Sequence, residues 1–265
     1  HVVGIDGLKI EPLPPGLACK DVHPIRDMAE LRENLDDRVM AGFGGVAEYG
    51  ITVRWDKNFL KVIRVLLARR ARYALHGGVR FGGTLTSDSA FALGFDHIAL
   101  ALGAGRPTVL ELPNGLANGV RTASDFLMAL QLTGAAKIDS LANMQLRLPA
   151  VVIGGGLTAI DTATESLAYY PVQVEKFLAR YEALCASEGR ERVEARWTPA
   201  EQAIAREFIA HATAIRAERA AAAAESRAPR LVELLQGFGG VTIAYRRRLI
   251  DSPSYTLKTE EVAKA

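Results

Sequence analysis

In some stretches of the chain apolar residues recur at helical spacing, which predicts amphipathic helices. In others they form short continuous runs, which predict buried strands. The stretch WDKNFLKVIRVLLARRARYAL carries apolar residues at helical spacing, with Asp56 as its N-cap. TASDFLMALQLTG predicts another helix, which Gly134 ends at the C-cap position. PVQVEKFLARYEALCAS predicts a separate helix that begins at Pro171. A long Ala-rich helix follows Thr198 as N-cap, with Pro199 at its first position and Glu201 completing a capping box.

Short apolar runs between these helices predict the strands. HVVGID is a strand that ends at Asp6, VRFGGTLT is a strand with a turn, and FDHIALALGAG is a buried strand that runs into a glycine turn. LPAVVIGGGLTAI predicts a strand, a tight turn and the start of a helix, and VTIAYRRR predicts a further strand. Buried strands that alternate with helices favour α/β layers around a parallel sheet.

Composition narrows the class of protein. The 265 residues are 49% hydrophobic and carry a formal charge of +2, which argues against disorder and against nucleic acid or a membrane as the main partner. No apolar run has the length of a membrane span, and we expect no signal peptide. Cys19 and Cys185 stand far apart without a CxxC motif, so we expect no local redox or metal site and a reducing, cytoplasmic location.

The two ends of the sequence suggest a piece of a longer protein. HVVGID reads as a strand already in progress, and TEEVAKA reads as a helix cut off in its first turns.

The segment VVIGGGLTAI has the pattern G-x-G-x-x-A, with Gly154, Gly156 and Ala159 at the defined positions. The first glycine allows a tight turn, the second lets a pyrophosphate approach the backbone, and the small third residue lets the helix pack on the strand. The phosphates then meet the free N–H groups and the positive end of the helix dipole. A strand before the turn and a helix after it make dinucleotide binding the preferred interpretation.

Three arginines, at positions 246 to 248, follow the strand VTIAY. In a dinucleotide-binding fold the next strand ends beside the adenosine ribose, where an acidic residue binds NAD and an arginine accommodates the 2′-phosphate of NADP. Arg246 and Arg247 are therefore predicted to clamp that phosphate. The strand comes late in the sequence, so the helical segment 171–236 is interpreted as an insertion, predicted to leave the sheet as an independent helical excursion beside the nucleotide. An alternative stays open: the arginines could pair with the acidic residues of this insertion.

Together, VVIGGGLTAIDTATES and VTIAYRRR resemble the NADPH-binding half of the glutamate synthase small subunit, a flavoprotein module that also occurs in dihydropyrimidine dehydrogenase. The resemblance covers most of the chain. It implies two Rossmann-like three-layer α/β nucleotide-binding domains: an incomplete FAD-type domain at 1–112, a crossover at 113–148, and an NADPH-type domain at 149–265 that contains the helical insertion 171–236.

The resemblance also assigns cofactor-binding residues. Asp6 would hold the FAD ribose, and GFGGVAEYGIT is similar to a loop along the flavin, where the matching residues are Gly44, Gly45, Tyr49, Gly50 and Ile51. Val79 and the turn of Gly103 and Ala104 would also contact FAD. The NADPH site would comprise Gly154, Gly155, Gly156, Leu157, Thr158 and Ala159 together with Arg246 and Arg247.

Several features depart from this family. Thr52 replaces the proline of the flavin loop, the segment 7–42 is longer than usual, and the first glycine turn of the FAD domain lies outside the sequence. This piece alone is therefore not expected to hold FAD firmly.

The implied function is that of an FAD-dependent NAD(P)H oxidoreductase, which passes electrons from NADPH through FAD to an iron–sulfur or partner acceptor outside this segment. No catalytic residue is assigned, because hydride transfer between cofactors depends on their placement. The alternative is a non-catalytic nucleotide-sensing or scaffolding subunit, whose inserted helices bind a partner.

Overall fold

The computed structural model describes residues 62–63, 66–67, 69–74, 76, 79–101, 107, 109–136 and 140–257. These residues belong to two compact units, of which the first ends at Glu111 and the second begins at Leu112. None of the helices in these ranges combines the length and the apolar character that crossing a membrane requires.

The described part of the first unit contains helical residues and turns. Residues 62–63 and 66–67 are helical, in agreement with the helix predicted there. A turn closed by an isolated bridge between Phe81 and Leu85 precedes α1, Ser87–Ala92. Thr86 caps this helix, since its hydroxyl accepts a hydrogen bond from the N–H of Ser89 and the Ser89 hydroxyl accepts one from the N–H of Thr86.

The predictions of two strands in this unit are wrong. VRFGGTLT forms only the isolated bridge and its turn, and residues 95–101 form no regular element. Phe95 is 56% exposed and Leu100 is 62% exposed, so this apolar run is not buried. A buried strand needs neighbouring strands and a covering layer, and the described residues supply neither at this place.

The second unit consists of helices around a pair of parallel strands. In chain order its elements are α2 Ala123–Thr133, β1 Ala150–Ile153, α3 Leu157–Glu188, α4 Arg190–Glu194, α5 Pro199–Ala224, α6 Leu231–Gly237, β2 Val241–Ala244, a 3-10 turn Leu249–Asp251 and α7 Pro253–Leu257.

Local signals in the sequence fix several helix ends. Thr122 accepts a hydrogen bond from the N–H of Asp125 before α2, and Gly134 has a φ of +61° directly after it, which confirms the predicted C-cap. Thr198 and Glu201 form the predicted capping box of α5, and Pro199 occupies its first turn.

The long helix α3 differs from its prediction. The sequence predicts a separate helix that begins at Pro171, whereas α3 continues through this proline without interruption. Proline removes one backbone hydrogen bond and costs about 3 kcal/mol in a helix interior. Pro171 is buried, and the adjacent Tyr169 and Tyr170 are both 0% exposed, so tertiary packing offsets the local cost.

The core of the second unit lies mainly between α3 and α5. Its buried apolar residues are Leu148, Tyr170, Val174, Leu178, Tyr181, Val193, Phe208, Ala212, Ile215 and Leu235. Ala150 of β1 and Val241 of β2 pack against this cluster. Most of these residues come from the segment 171–236, and Leu148, Ala150 and Val241 from outside it pack with them, so this segment shares one core with the strands and does not form the independent excursion that the sequence predicts.

The strands β1 and β2 are parallel and paired in register, Ala150 with Val241 through Ile153 with Ala244. Their side chains alternate between a half-buried face and an exposed face, as a pleated strand requires. Because both strands run in the same direction, both carboxyl ends lie at the same edge, where the predicted site residues follow.

Candidate functional site

The glycine turn begins directly after β1. Gly154 has a φ of +153°, and its N–H donates a hydrogen bond to the carbonyl oxygen of Ala244, 3.0 Å away. A Cβ atom on Gly154 would lie 3.4 Å from the Cβ of Ala159, so the small residue at position 159 allows the turn and the helix to pack closely. This contact is the one that the G-x-G-x-x-A pattern requires.

The amino-terminal end of α3 is open. Gly156 is its N-cap and provides no side-chain hydrogen bond, and no described residue accepts a hydrogen bond from the N–H of Gly156, Leu157 or Thr158. A Cβ atom on Gly156 would meet no atom within 4 Å. Among the described residues, the turn therefore presents N–H donors without an acceptor, and open space, at the positive end of a 32-residue helix.

The three arginines follow β2 at the same edge. Arg246 and Arg247 are exposed, and neither forms an ion pair or a hydrogen bond with a described residue. Arg248 is different, because its Nε and Nη2 atoms donate to the two carboxylate oxygens of Asp251 at 2.9 Å and 3.0 Å. This hydrogen bonding lowers the pKa of Asp251 from its ordinary value. Two cationic side chains at this edge thus remain available to an anion.

The acidic residues of the segment 171–236 do not pair with these arginines. Within the part of the chain that the structure describes, four of them pair with arginines of the same segment: Glu175 with Arg219, Glu182 with Arg216, Glu188 with Arg196, and Glu218 with Arg227. Glu207 pairs instead with Arg147, which lies before β1. The alternative explanation of Arg246 and Arg247, that they answer the charges of the insertion, is therefore wrong.

The arginine loop, residues 245–254 after β2, is joined to the glycine turn by a contact that the sequence did not reveal. The carbonyl oxygen of Gly155 accepts hydrogen bonds from the hydroxyls of Ser252 and Ser254, the latter at 2.9 Å. The ring of Tyr245 lies over the same glycine, where a Cβ atom would stand 2.4 Å from the ring atoms Cδ2 and Cε2. A serine directly before a proline, as at Ser252 and Pro253, indicates the start of a helix. This signal does not reveal that the Ser252 hydroxyl donates to the distant Gly155.

The remaining predicted NADPH residues lie together at the start of α3. Ala159 is buried, Leu157 is half-buried, and Thr158 is exposed at the helix end. Val79, predicted to contact FAD, is half-buried in an irregular segment of the first unit. The other predicted FAD residues lie outside the described residues: Asp6, Gly44, Gly45, Tyr49, Gly50, Ile51, Gly103 and Ala104.

A second group of polar side chains lies between α3, α5 and the start of β2. The hydroxyl of Tyr170 is 2.6 Å from Nδ1 of His211, and the His211 ring stacks on Phe238 at a centroid distance of 3.8 Å. Burial raises the pKa of Tyr170, so the phenol keeps its proton in this contact. Burial lowers the pKa of His211, against an opposing effect of Glu207, which suits a neutral ring in this contact.

Metal binding has no candidate in the described ranges, where no three His, Cys, Asp or Glu side chains are grouped to hold an ion.

Comparison with known proteins identifies a relative whose name states no activity. The chain is 44% identical over 263 residues, or 99% of its length, to an uncharacterized protein of Rickettsia prowazekii (strain Madrid E). It spans about a third of that protein, 34% of its length. No protein-family model matches the chain, and no solved structure matches it.

Proposed function

We propose that this chain binds NADPH and belongs to an FAD-dependent oxidoreductase of the glutamate synthase small-subunit type. The observation that carries the proposal is the edge of the parallel pair β1 and β2. There, an open glycine turn at a helix amino terminus and two arginines without a described partner follow neighbouring strands.

The chemistry of each part suits one portion of the nucleotide. The free N–H groups and the helix dipole stabilise the negative charge of a pyrophosphate. Arg246 and Arg247 stand where a carboxylate would otherwise bind the 2′-hydroxyl of NADH, and guanidinium groups pair with the two charges of a 2′-phosphate. A third arginine, Arg248, stays with Asp251 and is not required.

The proposed oxidoreductase activity belongs to a longer protein, of which this chain would be the NADPH-binding part. NADPH, when bound, would supply a hydride that FAD could accept, and an iron–sulfur centre or a partner protein would then take up the electrons. Two Rossmann-like domains, one for FAD and one for NADPH, are proposed for this purpose. We place the enzyme in the cytoplasm, because Cys19 and Cys185 lack the spacing of a disulfide scaffold or redox motif.

Replacing Arg246 and Arg247 by alanine tests the nucleotide specificity. Each lost charge-assisted contact should weaken NADPH binding by about 1.5–3 kcal/mol, or roughly ten- to a hundredfold in Kd, because the 2′-phosphate loses its partner. NADH binding should change little. Calorimetric titration of the intact protein measures both Kd values.

Arg206→Ala is the matched control for this experiment, because Arg206 is an exposed arginine of α5 with no described ion pair. It should leave both Kd values unchanged. Equal losses for NADPH and NADH in the Arg246→Ala/Arg247→Ala variant would contradict the assignment of a 2′-phosphate site.

The flavin part has its own test, an absorption spectrum of the intact protein. Yellow flavin absorbance that is bleached by NADPH supports the oxidoreductase. A colourless protein that still binds NADPH would contradict it and would favour a nucleotide-sensing subunit.

A further inference from the structure

We infer that Ser252 and Ser254 are positioning residues for the 2′-phosphate, because they fix the arginine loop to the glycine turn. The inference rests on the proposed function and adds to it the residues that set the distance between the pyrophosphate and 2′-phosphate subsites.

Both serines are buried and aimed at one acceptor. Ser252 is 3% exposed and Ser254 is 1% exposed, and both hydroxyls donate to the carbonyl oxygen of Gly155. The Ser252 oxygen in turn accepts a hydrogen bond from the N–H of Ser254, 3.2 Å away. A buried hydroxyl without a partner is unfavourable, so this arrangement holds residues 252–254 against the turn.

The rest of the loop is braced on itself between β2 and these serines. The Tyr245 hydroxyl donates to the carbonyl oxygen of Asp251 at 3.2 Å, and Arg248 binds the Asp251 carboxylate. Arg246 and Arg247 lie between these contacts and remain exposed. The backbone that carries the two arginines is therefore anchored by β2 on one side and by Gly155 on the other.

This anchoring matters because the pyrophosphate and the 2′-phosphate of NADPH are attached to the same ribose, which limits the distance between them. A loop that is already held beside the glycine turn binds both groups without the cost of being ordered. The serines achieve this without contacting the ligand, since their hydroxyls are occupied by Gly155. Loss of the anchor should weaken binding at the arginines more than binding at the helix end.

The test is the double substitution Ser252→Ala/Ser254→Ala in the intact protein. Two probes are titrated by calorimetry: adenosine 2′,5′-bisphosphate, which carries the 2′-phosphate, and ADP, which carries only the diphosphate. We expect the Kd of the first to rise about tenfold and that of ADP to change by less than about twofold. The ratio of the two values is the readout, because a general loss of stability would not change it.

Ser166→Ala is the matched control, since Ser166 is also 3% exposed and donates its hydroxyl to a backbone carbonyl, that of Thr162 in the same helix. It removes the same buried hydrogen bond at a place remote in sequence from the loop, and its ratio should equal that of the wild type. An unchanged ratio in the double variant, or an equal change in the control, would overturn the inference.

The outcome remains distinct from failure of the proposed function. If the unsubstituted protein does not prefer adenosine 2′,5′-bisphosphate over ADP, the 2′-phosphate site itself is absent. If the double variant does not fold, Ser252→Ala and Ser254→Ala are titrated separately, because each removes one of the two hydroxyls from the Gly155 carbonyl. We expect each to change the ratio less than the double variant does, and a wild-type ratio in both folded single variants overturns the anchoring role.

Discussion

Gly155 and Gly156 are adjacent in the turn but differ in the space around them. A Cβ atom at Gly155 would collide with the ring of Tyr245, whereas a Cβ atom at Gly156 would meet no atom of the described residues within 4 Å. The packing of this chain therefore requires a glycine at position 155. It does not require one at position 156, where the proposed function explains the glycine by a pyrophosphate that approaches the backbone.

Gly156→Ser separates these two requirements. Serine is a better N-cap than glycine, so the free energy of unfolding should stay constant or rise by a few tenths of a kcal/mol. NADPH binding should weaken by at least about tenfold, because the new side chain occupies the space of the pyrophosphate. Thermal melting and calorimetric titration measure the two effects.

The comparison variant is Gly155→Ala, which should lower the melting temperature because its Cβ collides with Tyr245. A Gly156→Ser protein that binds NADPH as tightly as the wild type would show that the turn has no nucleotide role.

For single residues, the sequence predicted contacts within a short local pattern but not contacts between distant positions. The spacing of Gly154, Gly156 and Ala159 predicts a tight turn against a helix, and the structure contains that contact. Ser252 and Ser254 reach an acceptor 97 and 99 residues earlier in the chain. No short pattern encodes such a pair, because the fold alone brings its members together.

Among the elements, α3 and α5 show how packing overrides local preference. The capping box of Thr198 and Glu201 is a local signal, and it correctly predicts where α5 begins. Pro171 is also a local signal, and it predicts a helix boundary that does not exist. The buried contacts around Tyr170 decide the second case, since they stabilise the helix on both sides of the proline.

The contact of His211 with Tyr170 and Phe238 predicts a pH dependence for the packing of α5 on α3. Burial lowers the pKa of His211, so the unfolded chain binds more protons than the folded one as the pH falls through the ordinary value of about 6.5. The contribution of this residue to stability is therefore complete above that pH and decreases below it.

His211→Phe removes this titration while keeping an aromatic ring against Phe238. Urea unfolding at pH 7.5 and pH 5.5 should show a smaller loss of stability in the variant than in the wild type. Tyr170→Phe is the control, because it deletes the hydrogen bond to Nδ1 and leaves the imidazole able to titrate. An equal pH dependence in the wild type and in His211→Phe would show that His211 does not titrate on unfolding.

For the molecule as a whole, pairing between distant segments limits what the sequence predicts. The parallel pair β1 and β2 was predictable, because both strands are flanked by strong turn signals and are apolar. The run FDHIALAL was predicted as a buried strand, yet residues 95–101 are irregular and largely exposed. Hydrophobicity indicates that a segment can be buried, whereas the neighbours that bury it come from elsewhere.

The segment 171–236 provides the test at this scale, since it contains most of the core of the second unit. Replacing it with a short Gly/Ser linker removes Val174, Leu178, Phe208 and Ile215 together. Burial of one such side chain contributes about 1.5–3 kcal/mol, and the stability of a whole domain is about 5–15 kcal/mol. The deletion should therefore abolish the cooperative unfolding transition, which calorimetry or urea titration detects.

The control replaces only the loop between α5 and α6, residues 225–230, with a linker of the same kind. These residues are mostly exposed, and none belongs to the core cluster, so unfolding should remain cooperative. The loop does contain Arg227, whose half-buried ion pair with Glu218 is lost, so this variant should be less stable than the wild type while it still unfolds cooperatively. A full deletion that still unfolded cooperatively and bound NADPH would mean that β1, β2 and the start of α3 fold without the helices that cover them.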